Sequence, residues 1–163
     1  MKRLIKFLHE LGTVGLMGAT ATQLVLSYAA EGMASRDYAV TRLAILRVSE
    51  LLLIPSLLVV LVSGLLAMLF NSTFQKRGWA LLKAGLTLVV LQCALVAVQG
   101  PAKQAAVISV AIVKGDRSQA RHLPEIVRHE RGGSAMLLFL SVVNIALAVW
   151  RPRLRRKRSP ASA

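Results

Sequence analysis

The sequence predicts an all-α fold, a four-helix transmembrane bundle, and three observations lead to this prediction. Hydrophobic residues make up 55% of the 163-residue chain. Residues 51–70 carry no charge, and as a helix rising about 1.5 Å per residue they would cross the hydrocarbon core of a bilayer, about 30 Å thick. Basic residues cluster beside the apolar runs, as is typical of signals that set membrane topology.

Four apolar runs define the predicted helices. Only helices and closed barrels satisfy the backbone inside a bilayer, and these runs lack the alternation of barrel strands, so we assign helices. Their approximate bounds are residues 4–30, 48–70, 79–100 and 133–150. They form a single transmembrane domain, which we expect to be followed by a basic cytoplasmic tail at residues 151–163.

The first apolar run has two interpretations. Residues 1–6 are basic and residues 27–29 resemble a small-residue cleavage site, as in a secretory signal peptide. The apolar part is long for a signal peptide, however, and it contains His9 and Glu10. We therefore predict that this run is retained as the first transmembrane helix.

The connections differ in character. Residues 36–50 are amphipathic, so they form either an outward extension of the second helix or a short helix at the membrane surface. Residues 102–113 are expected to prolong the third helix beyond the bilayer. Residues 118–131 place a few apolar side chains among charges, which predicts a surface helix or an ordered loop.

Charge placement predicts that both termini are cytoplasmic (N-in, C-in). Residues 1–6, Lys76, Arg77 and residues 151–158 supply basic side chains on one side of the bilayer. Glu10 is the one acidic residue on that side. The six acidic residues on the other side are Glu31, Asp37, Glu50, Asp116, Glu125 and Glu130. This distribution satisfies the positive-inside rule.

The net charge of +14 raises the question of a nucleic-acid partner. The basic cluster at residues 151–158 directly follows an apolar run, and clusters in that position contact anionic lipid. We therefore expect the lipid bilayer as the partner, with anionic lipid at the tail and no nucleic acid. A homo-oligomer and a larger membrane complex both remain open.

Polar side chains form stripes on the predicted helices. The stripe on the first helix comprises His9, Thr13, Thr20, Gln23 and Ser27. The stripe on the fourth helix comprises Glu130, Ser134, Ser141 and Asn144. Ser56 and Ser63 lie one heptad apart in the second helix. The stripes either pack helices together through small and hydroxyl side chains or line a hydrated or ligand-filled centre.

Charged residues within the membrane suggest two polar clusters. His9, Glu10 and Lys83 fall at a similar depth in the cytoplasmic leaflet, where Lys83 either snorkels to the interface or pairs with Glu10. On the opposite side, Arg47, Glu50 and Glu130 are candidates for a second cluster. Arg47 and Glu50 are also spaced to pair with each other on one helix.

The sequence predicts no metal site. His122 and His129 are seven residues apart, whereas helical histidine pairs that bind metals are usually four apart. They are better interpreted as solvated side chains. Cys93 is the single cysteine, so neither a disulfide nor a cysteine-based metal motif is expected.

Three short motifs resemble a known superfamily. They are residues 4–9, the spacing from Pro55 to Gly64, and residues 78–83. The resemblance is to the CopD-like and HemJ-like superfamily of small bacterial four-helix membrane proteins, and most of all to its uncharacterised members. It implies a multi-pass protein of the bacterial cytoplasmic (inner) membrane. Proteins of the HemJ type are haem-containing protoporphyrinogen oxidases, and those of the CopD type are linked to copper uptake.

The resemblance also implies site residues. The histidine of the family's first helix falls on His9 and the lysine of its third helix falls on Lys83, which makes these two the candidate cofactor-binding residues, for haem b. A further histidine of HemJ-type proteins, deep in the third helix, corresponds to Ala94 and its neighbours here.

Two functional hypotheses follow. The first is a non-enzymatic integral membrane protein of unassigned role, for which an accessory subunit of a membrane complex is one option. The second is a b-haem or porphyrin-linked redox protein that uses His9 and Lys83. Whether the chain is an enzyme is left open, and no catalytic residue is assigned.

Overall fold

The computed structural model describes the backbone of residues 2–69 and 78–150, and every regular element in these ranges is helical. The chain is therefore all-α, with four long helices. Three of these contain a stretch long and apolar enough to cross a membrane, namely Ser35–Ala67, Gly85–Val113 and Ala120–Leu147. These stretches mark the chain as a membrane protein. The predicted basic connection with Lys76 and Arg77 and the tail at residues 151–163 lie outside the described residues.

The first long helix is α1, Lys2–Ala29. The second consists of α2 (Ser35–Val48), a π-helical segment (Ser49–Leu53) and α3 (Ile54–Leu69), which follow one another without a break. The third has the same construction, with α4 (Gly78–Cys93), a π-helical segment (Ala94–Gln99) and α5 (Gly100–Val113). A 3₁₀ turn, Ala120–His122, leads directly into the fourth helix, α6, Leu123–Trp150.

The helices run further than the apolar runs suggest. Residues 36–50 extend the second helix and do not form a separate surface helix. The fourth helix begins at Leu123, well before the predicted start near residue 133. Its first turns carry apolar side chains at helical spacing, of which Val127 is buried, so packing overrides the polar composition.

Two glycines allow the turns that reverse the chain. Gly32 follows α1 with φ of 78°, and Gly115 follows α5 with φ of 97°, a region that other residues rarely adopt. Asp116, next in the second turn, accepts a hydrogen bond from the backbone N–H of Ser118 at 2.9 Å. This bond favours the carboxylate and lowers the pKa of Asp116 below its ordinary value.

Neighbouring helices in this arrangement are antiparallel. Along α1 toward its C-terminus, His9 faces Ser63, Gly15 faces Ser56 and Ser27 faces Arg42. The fourth helix runs antiparallel to the third in the same way. The apolar core between the helices comprises Leu16, Ala19, Leu53, Leu57, Val90, Ala94, Val98 and Leu137.

The second and third helices are each longer than the hydrocarbon core of a bilayer is thick. At about 1.5 Å per residue each extends about 50 Å, against a hydrocarbon core of about 30 Å. We call the level of the bundle that contains the apolar core the apolar belt. Beyond this level, α2, α5 and residues 123–131 pack together through small and aliphatic side chains such as Ala39, Ala105 and Ile108. We call this assembly the head.

Candidate functional site

A line of polar side chains follows the interface between the first and second helices. On the second helix, Arg42, Ser49, Ser56 and Ser63 recur every seven residues and share one face. On α1 they meet the predicted stripe, in which Thr20, Gln23 and Ser27 are all fully buried. We call these two facing sets the polar seam. The predicted stripe on the first helix thus faces the interior of the protein.

The head end of the polar seam holds a buried ion pair. Arg42 Nη1 lies 2.9 Å from Glu130 Oε2, and the side chains are 0% and 1% exposed. Arg42 Nη2 also donates to Ser27 Oγ at 3.3 Å. Because these residues belong to the second, fourth and first helices, the contacts join three helices where the apolar belt meets the head.

A second arginine completes this group. Arg131 donates from Nε to Ser27 Oγ at 3.0 Å, and it also donates to the backbone oxygen of Ser27 and to the carboxylate of Glu31. Its guanidinium lies 4.2 Å from the centroid of the Tyr28 ring, a cation–π contact. Ser27, Glu31, Arg42, Glu130 and Arg131 therefore form a charge-balanced network, which we call the arginine–glutamate cluster.

Several polar atoms of the seam have no partner among the described residues. They are both amide atoms of Gln23, the hydroxyl of Ser49 and Nε of Arg42, all in fully buried side chains. The antiparallel register between the helices places Gln23 at the level of Ser49. Buried polar groups usually have partners, and leaving them without one is costly, so this level of the seam is a departure from optimal packing.

The other end of the polar seam is organised around His9. Its Nδ1 lies 3.1 Å from Ser63 Oγ and 3.2 Å from the carbonyl oxygen of Val60. The Ser63 hydroxyl donates its proton to a backbone carbonyl within its own helix, as short as 2.5 Å to Val59. Both groups near Nδ1 thus act as acceptors, so Nδ1 is placed to donate a proton to them.

The remaining predicted site residues are placed differently. Glu10 is exposed and makes no ion pair within the described part of the chain, and the side chain of Lys83 lies outside it, so a pair between them stays a prediction. Arg47 and Glu50 pair with each other at 3.2 Å on the surface. Glu130 pairs with neither, because its partner is Arg42.

Sequence reasoning missed Arg42. It belonged to neither predicted polar cluster, and its partner lies 88 residues away in the chain. The signal that could have identified it is its register: it stands one heptad before Ser49 and continues the spacing of Ser56 and Ser63.

Among the residues that the structure describes, no three His, Cys, Asp or Glu side chains lie close enough together to hold a metal ion. His122 and His129 are both exposed. Cys93 Sγ donates to the carbonyl oxygen of Gly133 at 3.7 Å, a weak contact between the third and fourth helices.

Comparisons with protein-family models, curated proteins and solved structures find no match to this chain. The resemblance to the CopD-like and HemJ-like superfamily therefore stays a prediction.

Proposed function

We propose that the chain is a non-enzymatic accessory subunit of a membrane complex, a four-helix transmembrane bundle with both termini in the cytoplasm. The observation that carries this proposal is the arginine–glutamate cluster. It joins three helices where the apolar belt meets the head, and so fixes the head relative to the membrane part. Such a rigid extension suits a protein that presents a surface to a partner.

The packing of α1 supports a fourth span. Its polar side chains at Thr20, Gln23 and Ser27 are buried against other helices, whereas Phe7, Val14 and other apolar side chains are exposed. A helix with this distribution buries its polar stripe in protein and turns its apolar side to lipid. The orientation rests on the positive-inside rule, with the head on the side opposite the basic termini.

Crosslinking in native membranes tests this role. A photo-crosslinkable amino acid is placed at Val40, an exposed head position, and at Val14 as a matched exposed position on α1. We expect a discrete protein adduct at Val40 and none at Val14. An adduct of twice the chain mass of 17.6 kDa would indicate a homo-oligomer instead. The absence of any adduct at several head positions would contradict the subunit role.

A second candidate function rests on His9. Imidazoles that bind metals typically donate the other ring N–H to a carbonyl or hydroxyl oxygen, as Nδ1 of His9 is placed to do toward Val60 and Ser63. His9 would therefore be the residue that holds a haem, and Lys83 is the second residue that the resemblance implies for it. A bound haem would supply one-electron redox chemistry.

The visible absorption spectrum of the purified protein distinguishes the two proposed functions. If the redox proposal is right, the detergent-purified protein has a Soret band that is lost in His9→Ala and kept in the control His129→Ala. A colourless protein purified from haem-supplemented cells would rule out the redox function and leave the accessory role standing.

A further inference from the structure

A groove between the third and fourth helices is separate from the polar seam. It has a volume of about 450 Å³, within the range of roughly 300–1,000 Å³ that is common for small-molecule sites. Cys93, Ala97 and Met136 form its apolar part, and Gly132 and Gly133 leave it open because they carry no side chain. Its other end is lined by Glu125, Arg128 and His129.

Close contact between the two helices forms the floor of the groove. A Cβ on Gly133 would lie 2.2 Å from the carbonyl oxygen of Ala97, so the backbones touch there. Ala97 belongs to the π-helical segment of the third helix, so the contact falls where that helix departs from α-helical hydrogen bonding. Next to this contact, a Cβ on Gly132 would meet nothing within 4 Å, so the space above the floor is open.

The groove crosses the boundary between the apolar belt and the head. On α6, the exposed side chains after Gly133 are apolar, with Met136 53% and Phe139 63% exposed. Between Pro124 and Gly132 the exposed side chains are charged or polar, namely Glu125, Arg128 and His129. A ligand that fills the groove therefore needs an apolar portion at one end and a polar portion at the other, which is the build of a membrane lipid.

The polar end favours an anionic headgroup. Arg128 is exposed and makes no ion pair or hydrogen bond within the described part of the chain, whereas its neighbour Arg131 is fully engaged with Ser27 and Glu31. The planar guanidinium of Arg128 can donate two parallel hydrogen bonds to a phosphate. His129 lies next to Arg128 at this polar end of the groove, which we call the rim. Glu125 also lines this end of the groove but makes no ion pair with Arg128 within the described part of the chain, so the arginine is left available to a phosphate.

We propose that this groove binds one anionic phospholipid, with the phosphate at Arg128 and His129 and an acyl chain along Cys93, Ala97 and Met136. The site is distinct from the basic tail, which lies after the opposite end of α6. The lipid site does not depend on the accessory role, because a bound lipid would stabilise the junction of the third and fourth helices whichever of the two proposed functions is right.

Cys93 gives a readout specific to the groove, because it is the single cysteine of the chain and lines the apolar part. The full-length protein in detergent micelles is alkylated with N-ethylmaleimide, and the rate is followed by intact-mass spectrometry. Micelles contain equal mole fractions of either phosphatidylglycerol or phosphatidylcholine. We expect phosphatidylglycerol to slow alkylation about fivefold more than phosphatidylcholine, the factor typical of one arginine beside an anionic headgroup.

Variants assign the effect to the rim. Arg128→Ala should abolish the difference between the two lipids, and Arg128→Lys should keep most of it. Arg117→Ala removes an equally exposed arginine from the turn after α5 and should leave the difference unchanged. Gly132→Leu should fill the groove without a clash, slow alkylation in detergent alone and remove the lipid dependence. Each variant unfolded in dodecyl sulfate should react at one common rate.

Three results would overturn the proposal. Equal protection by both lipids would mean that the groove takes ordinary bilayer lipid without headgroup selection. A lipid difference that persists in Arg128→Ala would place the anionic contact elsewhere, for example at the tail. Equal protection by glycerol 3-phosphate, which has no acyl chain, would indicate a site for a free anion.

Discussion

Arg42 and Glu130 form an ion pair that is almost completely buried, with 2.9 Å between Nη1 and Oε2. The pair joins the second helix to the fourth, and Ser27 links Arg42 to the first. Taking two charges out of water is costly, so such a pair is retained where it fixes a geometry rather than where it adds stability. Here the geometry is the packing of the first, second and fourth helices beside the head.

Removing one partner of this pair should be more harmful than removing both. Arg42→Met leaves the Glu130 carboxylate buried without its cation, and we expect a loss of about 3–5 kcal/mol in unfolding free energy. Arg42→Met combined with Glu130→Leu removes both charges and should recover much of that loss. Denaturant or thermal unfolding in detergent measures the double-mutant cycle.

The surface pair of Arg47 and Glu50 is the matched control for that cycle. Their side chains are 73% and 37% exposed, so neither charge is buried within the protein. Arg47→Met should therefore cost no more than about 1 kcal/mol. Similar losses for Arg42→Met and Arg47→Met would show that the buried pair does not hold the helices together.

The sequence was sufficient for some features of the seam and insufficient for others. The stripe with Gln23 and Ser27 follows from a rotation of about 100° per residue, and the structure buries it. The partner of Glu130 could not be read from local spacing, because Arg42 lies on another helix. The start of the fourth helix was also missed, since the composition of residues 118–131 predicted a separate surface helix or an ordered loop, whereas residues 123–131 are the first turns of the fourth helix.

Gly133 should tolerate no side chain. A Cβ there would lie 2.2 Å from the carbonyl oxygen of Ala97, and a backbone atom cannot move aside as a flexible side chain can. We expect Gly133→Ala to cost about 1–3 kcal/mol of stability, the range for overpacked cores. Thermal unfolding in detergent measures it.

Its neighbour provides the control for that substitution. A Cβ at Gly132 meets no atom within 4 Å, so Gly132→Ala should be neutral or slightly stabilising through the higher helix propensity of alanine. If Gly133→Ala proves as stable as Gly132→Ala, the contact between α6 and the π-helical segment has room for a methyl group.

Gly15 allows α1 to approach α3 closely. A Cβ at this position would lie 2.3 Å from Ser56 Oγ, whereas one at Gly18 would meet nothing within 4 Å. Gly15→Leu should therefore push the two helices apart and lower the unfolding temperature clearly, because small residues are needed where membrane helices pack. Gly18→Leu, which projects away from the interface, should unfold near the wild-type temperature. Equal effects of the two changes would place Gly15 on the lipid-facing side.

Gln23 is expected to reduce stability in the wild-type protein. Its amide is fully buried, and neither its oxygen nor its nitrogen has a partner among the described residues, while Ser49 at the same level also lacks one. Replacing a buried polar group that lacks partners by an apolar one of similar size removes the desolvation penalty, typically about 1–3 kcal/mol. Gln23→Leu should therefore unfold at a higher temperature than wild type in the same detergent, and Ser49→Ala should show a smaller change of the same sign. A lower unfolding temperature for Gln23→Leu would show that the amide makes a stabilising hydrogen bond within the seam.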